Sequence, residues 1–204
     1  MAERRYLNLP NWITLGRLWA VPVLFVLMLF MGGGAAERGL DRTLSFICAL
    51  LFTAAMCSDM LDGYFARRRG LSSTFGKFLD PLADKLVFLV VMIMMVPLGR
   101  IPAWLVVIFL VREVTVTALR GIAVDEGVVI AASNWGKYKA VFVTIATAGL
   151  LLHYPFFGVQ WRLIGWVFMV PSLVFSIGSG VHYVTGFVRA LRAGAPPLDK
   201  AEVR

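Results

Sequence analysis

The 204-residue sequence predicts an all-α fold, a polytopic membrane protein built as a six-transmembrane-helix bundle, and three observations carry that reading. Apolar residues make up 59% of the chain and charged residues only 16%, with a mean hydropathy of +0.80, which is too oily for a soluble domain around one core. The apolar residues gather into six runs, most of them close to the roughly 20 residues that cross a bilayer. The charges between the runs are asymmetric. With the N-terminus in the cytoplasm, thirteen Lys and Arg residues, Arg4, Arg5, Arg67, Arg68 and Arg69 among them, fall inside, against Arg38, Arg42, Arg100 and Arg162 outside. That bias orients the bundle and puts both termini in the cytoplasm.

Residues 1–10 are short, basic and carry Tyr6, Leu7 and Leu9, as suits a segment resting on the cytoplasmic interface or a plain disordered start. The first span, about residues 12–31, opens with Asn11, Thr14 and Arg17 on one broad face; Asn11 is placed to cap the helix. Arg17 lies inside the span and requires a partner there. The run is too long and too interrupted for a cleaved signal peptide. Gly32-Gly33-Gly34 ends it, and a polar external loop leads to the second span, about 43–66. Cys48 and Cys57 share this span on opposite faces, about 13 Å apart along the axis, so they cannot bridge each other.

The third span, about 78–97, follows a short basic cytoplasmic loop from Arg68 to Thr74. Asp80-Pro81 reads either as a helix start or as the kink of a helix that begins near Ser73; only the kinked helix keeps Gly76, Asp80 and Asp84 on one face. Pro97 to Pro102 forms a tight external turn before the fourth span, about 102–124, where Glu113, Thr117 and Arg120 make a polar stripe and Arg112 seeks a carboxylate on a neighbouring helix. A structural Glu–Arg pair between helices explains Glu113 as well as a site does. The loop from Asp125 to Trp135 returns to the cytoplasm, and Lys137 and Lys139 then flank the start of the fifth span, about 138–154. Two lysines beside a helix N-terminus suit an anion, although snorkelling explains either one alone. The sixth span, about 162–187, carries small residues and His182, which reads as a packed or interfacial histidine rather than a ligand. The chain divides into one membrane domain, residues 1–192, and a flexible cytoplasmic tail, residues 193–204, marked by Pro196-Pro197. It shows no internal repeat.

The chemistry concentrates between Asp59 and Asp84. Asp59, Asp62, Asp80 and Asp84 are carboxylates inside apolar spans, where each costs about 2.5–3.5 kcal/mol to insert unless something neutralises it. Asp59 and Asp62 are spaced i, i+3 and Asp80 and Asp84 i, i+4, so each pair shares a helix face. An all-oxygen donor set of this kind suits Mg²⁺ or Mn²⁺, two ions of which can clamp a phosphoryl group. Pairing with Arg67, Arg68, Arg69 and Lys85 at helix ends is the bland alternative. Asp59 sits about 24 Å along its helix, in the cytoplasmic third of the membrane and within reach of water-soluble substrates. Gly63 and Ala66 keep the surface small enough for a backbone or a nucleotide to approach, which helix packing alone also explains, and Arg67 can either meet a phosphate or snorkel to the interface.

The pattern D-x2-D-G-x2-A-R-x8-G-x3-D-x3-D, eight fixed positions met without a departure, resembles the signature of the CDP-alcohol phosphatidyltransferases. The resemblance implies a metal-dependent membrane enzyme that moves a phosphatidyl group from a CDP-linked lipid to an alcohol and releases CMP. It makes Asp59, Asp62 and Asp80 metal ligands, Asp84 both a metal neighbour and the base for the acceptor hydroxyl, and Gly63, Ala66, Arg67 and Gly76 part of the CDP-lipid site. The run N-L-P-N-W-I-T-L-G-R, then R-E-x6-R and G-K-x-K, is similar to the bacterial phosphatidylglycerophosphate synthases within that family, which brings Asn11, Thr14 and Arg17 to the CDP-lipid site as well. That likeness implies CDP-diacylglycerol and sn-glycerol 3-phosphate as substrates, two Mg²⁺ or Mn²⁺ ions, membrane lipids as surroundings, the bacterial inner membrane as location and a homodimer.

An acceptor bearing its own phosphate needs a cationic site, and Arg112, Arg120, Lys137 and Lys139 supply one. The signature alone leaves the acceptor open to inositol phosphate, serine or another alcohol. A net charge of +8 accompanies no nucleic-acid motif and instead favours anionic lipid surfaces and phosphate-bearing substrates. An ion or proton transporter is the competing class, since intramembrane acids also mark transport paths. Carboxylates gathered at one membrane face and the lack of repeated halves count against it.

Overall fold

The computed structural model describes the backbone of residues 9–32, 38–69, 74–125 and 134–192, and side chains over 15–32, 39–58, 85–123, 138–190 and Arg192. The expected roles of residues 1–8, of Gly33 and Gly34, of the loops at 70–73 and 126–133 and of the tail 193–204 therefore fall outside the described residues. Among the described residues six helices appear in order: α1 Leu9–Leu29, α2 Arg38–Arg69, α3 Thr74–Met95, α4 Ala103–Asp125, α5 Asn134–Leu152 and α6 Trp161–Arg192. Each contains most of one apolar run. Helices α2 and α6 extend beyond their runs at both ends, because backbone hydrogen bonding continues into the polar flanks.

Helix α1 begins at Leu9, so Asn11 lies within its first turn and is not the cap; Pro10 is tolerated there because a first-turn amide has no intrahelical acceptor. Helix α3 begins at Thr74 and runs unbroken past Pro81, which decides between the two readings of Asp80-Pro81 in favour of the longer helix. Among the described residues, Gly39–Ser58 and Trp161–Ala190 are long and apolar enough to cross a membrane, and Leu15–Leu29, Lys85–Met95 and Tyr138–Leu152 are shorter apolar stretches. The exposed faces are themselves apolar, with Val23, Phe25, Val26, Leu50, Ile93, Val107, Val111, Val170 and Val174 all turned outward. An outer surface of this kind suits lipid rather than water.

The chain forms two compact units: Met1–Ala103 with Thr144–Trp166, and Trp104–Val143 with Val167–Arg204. In the first, α1 packs against α2 and α3, and α2 against α3. Its core is built from helical repeats: Leu24 and Met28 on α1, Cys48 and Phe52 on α2, and Val87, Val91, Met92 and Met95 on α3 are all fully or nearly fully buried. Cys48 is buried and Cys57 exposed, and both are free thiols, as their spacing requires.

One end of this unit is sealed by polar groups. The Arg100 guanidinium donates to the Leu151 carbonyl and, at 2.7 Å, to the Ser45 hydroxyl, so the turn after α3 is bound to both α5 and α2. Arg100, in the turn expected on the external side, is only 5% exposed. Burial lowers its pKa from the ordinary arginine value, while Tyr154, Asp41 and Cys48 act in the opposite direction. Asp41, also buried, accepts from the Gly32 amide. Beside them lies a small hairpin that no sequence pattern announced, β1 Pro155–Phe156 and β2 Val159–Gln160, antiparallel with Phe156 opposite Val159. Its turn residues Phe157 and Gly158 both have positive φ, 55° and 74°, as a two-residue hairpin with the twist of its strands requires. Arg42 holds it, donating to the Pro155 carbonyl and lying 4.8 Å from the Phe156 ring centre.

In the second unit α4 and α6 carry the polar contacts described below, and aromatic rings join α5 to α6: Phe142 stands 5.5 Å from Phe168 and 5.3 Å from Phe175, and Tyr138 6.0 Å from Phe175.

Candidate functional site

The acidic signature is carried by continuous helix on both sides. Asp59, Asp62, Gly63, Ala66 and Arg67 fall in the last turns of α2, and Gly76, Asp80 and Asp84 in the first turns of α3. The two helices pack together and α1, which carries Asn11, Thr14 and Arg17, packs on both. The side chains of Asn11, Thr14, Asp59, Asp62, Arg67, Asp80, Asp84 and Lys137 lie outside the described residues. Among the described residues no group of three or more His, Cys, Asp or Glu side chains assembles. Four carboxylates delivered by two packed helices fit a hard divalent cation: the donors are all oxygen, and the register puts each pair within one turn. Arg17 is 3% exposed and has a partner, as its place within the span demands.

The residues expected to take the acceptor phosphate are distributed over α4 and α5 in the second unit. Glu113 joins two of them, Arg112 and Lys139. Its carboxylate pairs with Arg112 at 2.9 Å and with the Lys139 ammonium of α5, and these three side chains are only 11–15% exposed. Among the described residues Arg112 meets no carboxylate of another helix. Its acidic partner is the adjacent residue, and its other donors go to α6, to the Ser176 carbonyl at 3.2 Å and the Ser179 hydroxyl at 2.7 Å. The stem of Arg112 runs past Gly180, where a β-carbon would stand 3.2 Å from its Cγ. On the α4 stripe the Thr117 hydroxyl donates to the Glu113 backbone carbonyl, and the Arg120 guanidinium lies 6.0 Å from the Tyr183 ring centre.

Ser176, Ser179 and Gly180 were missed from the sequence, where they read simply as small residues. Their recurrence on one face of an apolar helix was the available signal. His182 is exposed.

The fold and these clusters define an α-helical membrane protein with acidic residues on two packed helices and a buried ionic trio on a further pair. The chain matches the CDP-alcohol phosphatidyltransferase family over residues 7–178. It is similar to the CDP-diacylglycerol–glycerol-3-phosphate 3-phosphatidyltransferase of Bacillus subtilis, 38% identical over 190 residues that cover 91% of this chain and 97% of the relative. It is also similar to a probable phosphatidylglycerophosphate synthase of Mycobacterium tuberculosis, 37% identical with 92% and 84% covered. A third relative, the CDP-diacylglycerol–glycerol-3-phosphate 3-phosphatidyltransferase of Treponema pallidum, is 34% identical with 74% of each chain covered. The chain belongs to the CDP-alcohol phosphatidyltransferase family.

Proposed function

We propose that this protein transfers the phosphatidyl group of CDP-diacylglycerol to sn-glycerol 3-phosphate, giving phosphatidylglycerol phosphate and CMP. The observation that carries this reading is the likeness to the Bacillus subtilis transferase, which runs nearly the full length of both chains and is not confined to the shared signature. The reading also assigns a use to both polar clusters, one acidic and one cationic.

Asp59, Asp62, Asp80 and Asp84 would hold one or two Mg²⁺ or Mn²⁺ ions, which when bound offset the charge of the CDP-lipid diphosphate. Asn11, Thr14, Arg17, Gly63, Ala66, Arg67 and Gly76 receive the CDP-lipid, with Arg17 and Arg67 meeting phosphate and the glycines and alanine admitting it closely. Arg112, Arg120, Lys137 and Lys139 receive the phosphate of the acceptor. Asp84 takes the proton from the acceptor hydroxyl as its oxygen attacks the lipid-linked phosphorus in line. A new P–O bond forms to glycerol, the bond from that phosphorus to the CMP oxygen breaks, and CMP leaves with the electron pair.

The same reading makes residues 1–192 one six-span domain of the bacterial inner membrane, with the acidic site near the cytoplasmic face, both termini cytoplasmic and a homodimer as the assembly. The positive charge bias supports that orientation. Purified protein in detergent, with no ion gradient, is expected to release CMP from CDP-diacylglycerol only when glycerol 3-phosphate and a divalent cation are both present. Release independent of glycerol 3-phosphate would contradict the reading.

A further inference from the structure

We infer that Glu113 is a positioning residue of the acceptor site, fixing the Lys139 ammonium where the acceptor phosphate is bound. The inference rests on the proposed phosphate-binding role of Lys139 and deepens it.

A buried ion pair is a poor way to join two helices. Removing each ion from water costs several kcal/mol, and apolar side chains of similar volume commonly hold a protein together as well or better. Apolar joining is already present in this unit, where Phe142 and Tyr138 of α5 meet Phe168 and Phe175 of α6. An ionic trio retained next to such packing points to use of the charge itself.

The two cations of the trio differ in what holds them. Arg112 has a planar, rigid head that, besides its contact with Glu113, is anchored on α6 by the Ser176 carbonyl and the Ser179 hydroxyl. Lys139 is a point charge on a flexible stem, buried at 9% exposure, and the Glu113 carboxylate reaches it from α4. Fixing that ammonium beforehand removes an ordering cost from acceptor binding. The trio also carries one net positive charge, two cations against one anion, so a phosphomonoester of charge near −2 still finds attraction there.

The test measures KM for glycerol 3-phosphate and for CDP-diacylglycerol, with kcat, for wild type, Glu113→Gln, Lys139→Gln and the double variant. Loss of one charge-assisted contact is expected to raise the glycerol 3-phosphate KM about tenfold in Glu113→Gln, with the CDP-diacylglycerol KM and kcat changed less than threefold. In the Lys139→Gln background, adding Glu113→Gln should have no further effect, because Glu113 acts through Lys139. If Lys139→Gln raises the acceptor KM but Glu113→Gln does not, the positioning role is refuted and the acceptor site stands. If Lys139→Gln leaves the acceptor KM unchanged, the assigned acceptor site fails and this inference with it. Equal loss toward both substrates would mark Glu113 as merely structural and refute the role. Glu113→Asp keeps the charge and shortens its reach by one methylene; it should move the acceptor KM in the same direction by a smaller factor, and it serves where the Gln variant fails to accumulate.

Discussion

Gly149 of α5 and Gly165 of α6 meet backbone to backbone. A β-carbon on Gly165 would stand 2.6 Å from the Leu150 amide nitrogen, and one on Gly149 would stand 2.8 Å from the amide nitrogen of Gly165. Backbone cannot swing aside as a side-chain tip can, so the helices would have to separate. Gly149→Ala or Gly165→Ala should destabilise the protein by about 1–3 kcal/mol, the usual range for overpacking. A lower thermal midpoint in detergent for either variant checks this, and an unchanged midpoint would argue against so close a crossing.

Arg100 makes a second stability prediction with a different signature. Arg100→Ala would strip its donors from the buried Ser45 hydroxyl and the Leu151 carbonyl, at a cost of about 1–3 kcal/mol for each group left unsatisfied. Ser45 precedes Asp59 by fourteen residues on α2, about 21 Å along the axis, so the loss should leave chemistry alone. Thermal inactivation is expected to come earlier while the initial kcat of folded enzyme stays near wild type.

The acidic signature predicts a metal requirement. Chelation with EDTA should abolish CMP release, and Mg²⁺ or Mn²⁺ should restore it. Asp59→Ala, Asp62→Ala or Asp80→Ala should each remove most turnover without unfolding the chain. Asp84→Ala, which removes the proton acceptor, should lower kcat by about 10²–10⁴-fold. Substantial turnover in two of these four variants would exclude the proposed site.

Orientation is checked by accessibility labelling. A cysteine at Arg38 should react with an impermeant reagent added outside the cell, and one at Lys200 should not. Labelling of position 200 from outside would reverse the bundle.

The helices were legible because lipid imposes so strong a pattern: six apolar runs, separated by charges and glycines, each contain most of one helix. The acidic signature was legible for a related reason, since Asp59, Asp62, Asp80 and Asp84 are conspicuous in apolar surroundings. What could not be read were relations between distant segments. Arg100 sits in a turn bounded by prolines, and its burial could not be read locally because the Ser45 hydroxyl and Leu151 carbonyl that hold it lie 55 and 51 residues away. Glu113 posed the same difficulty: its stripe on α4 was visible, but nothing local showed that Lys139 of α5 is its partner or that Arg112 is held by serines of α6. The hairpin turn at Phe157 was hidden because Phe is a poor residue for positive φ.

The central claim is that the acceptor is a phosphate-bearing glycerol, and competition tests it most directly. Glycerol 3-phosphate, inositol phosphate and serine are offered together, at equal concentration, to purified enzyme with CDP-diacylglycerol and Mg²⁺, and the lipid products are separated by mass. The account predicts phosphatidylglycerol phosphate as the dominant product. A preference for serine, which carries no phosphate for Arg112, Arg120, Lys137 and Lys139 to hold, would contradict both the acceptor and the role of that cationic cluster.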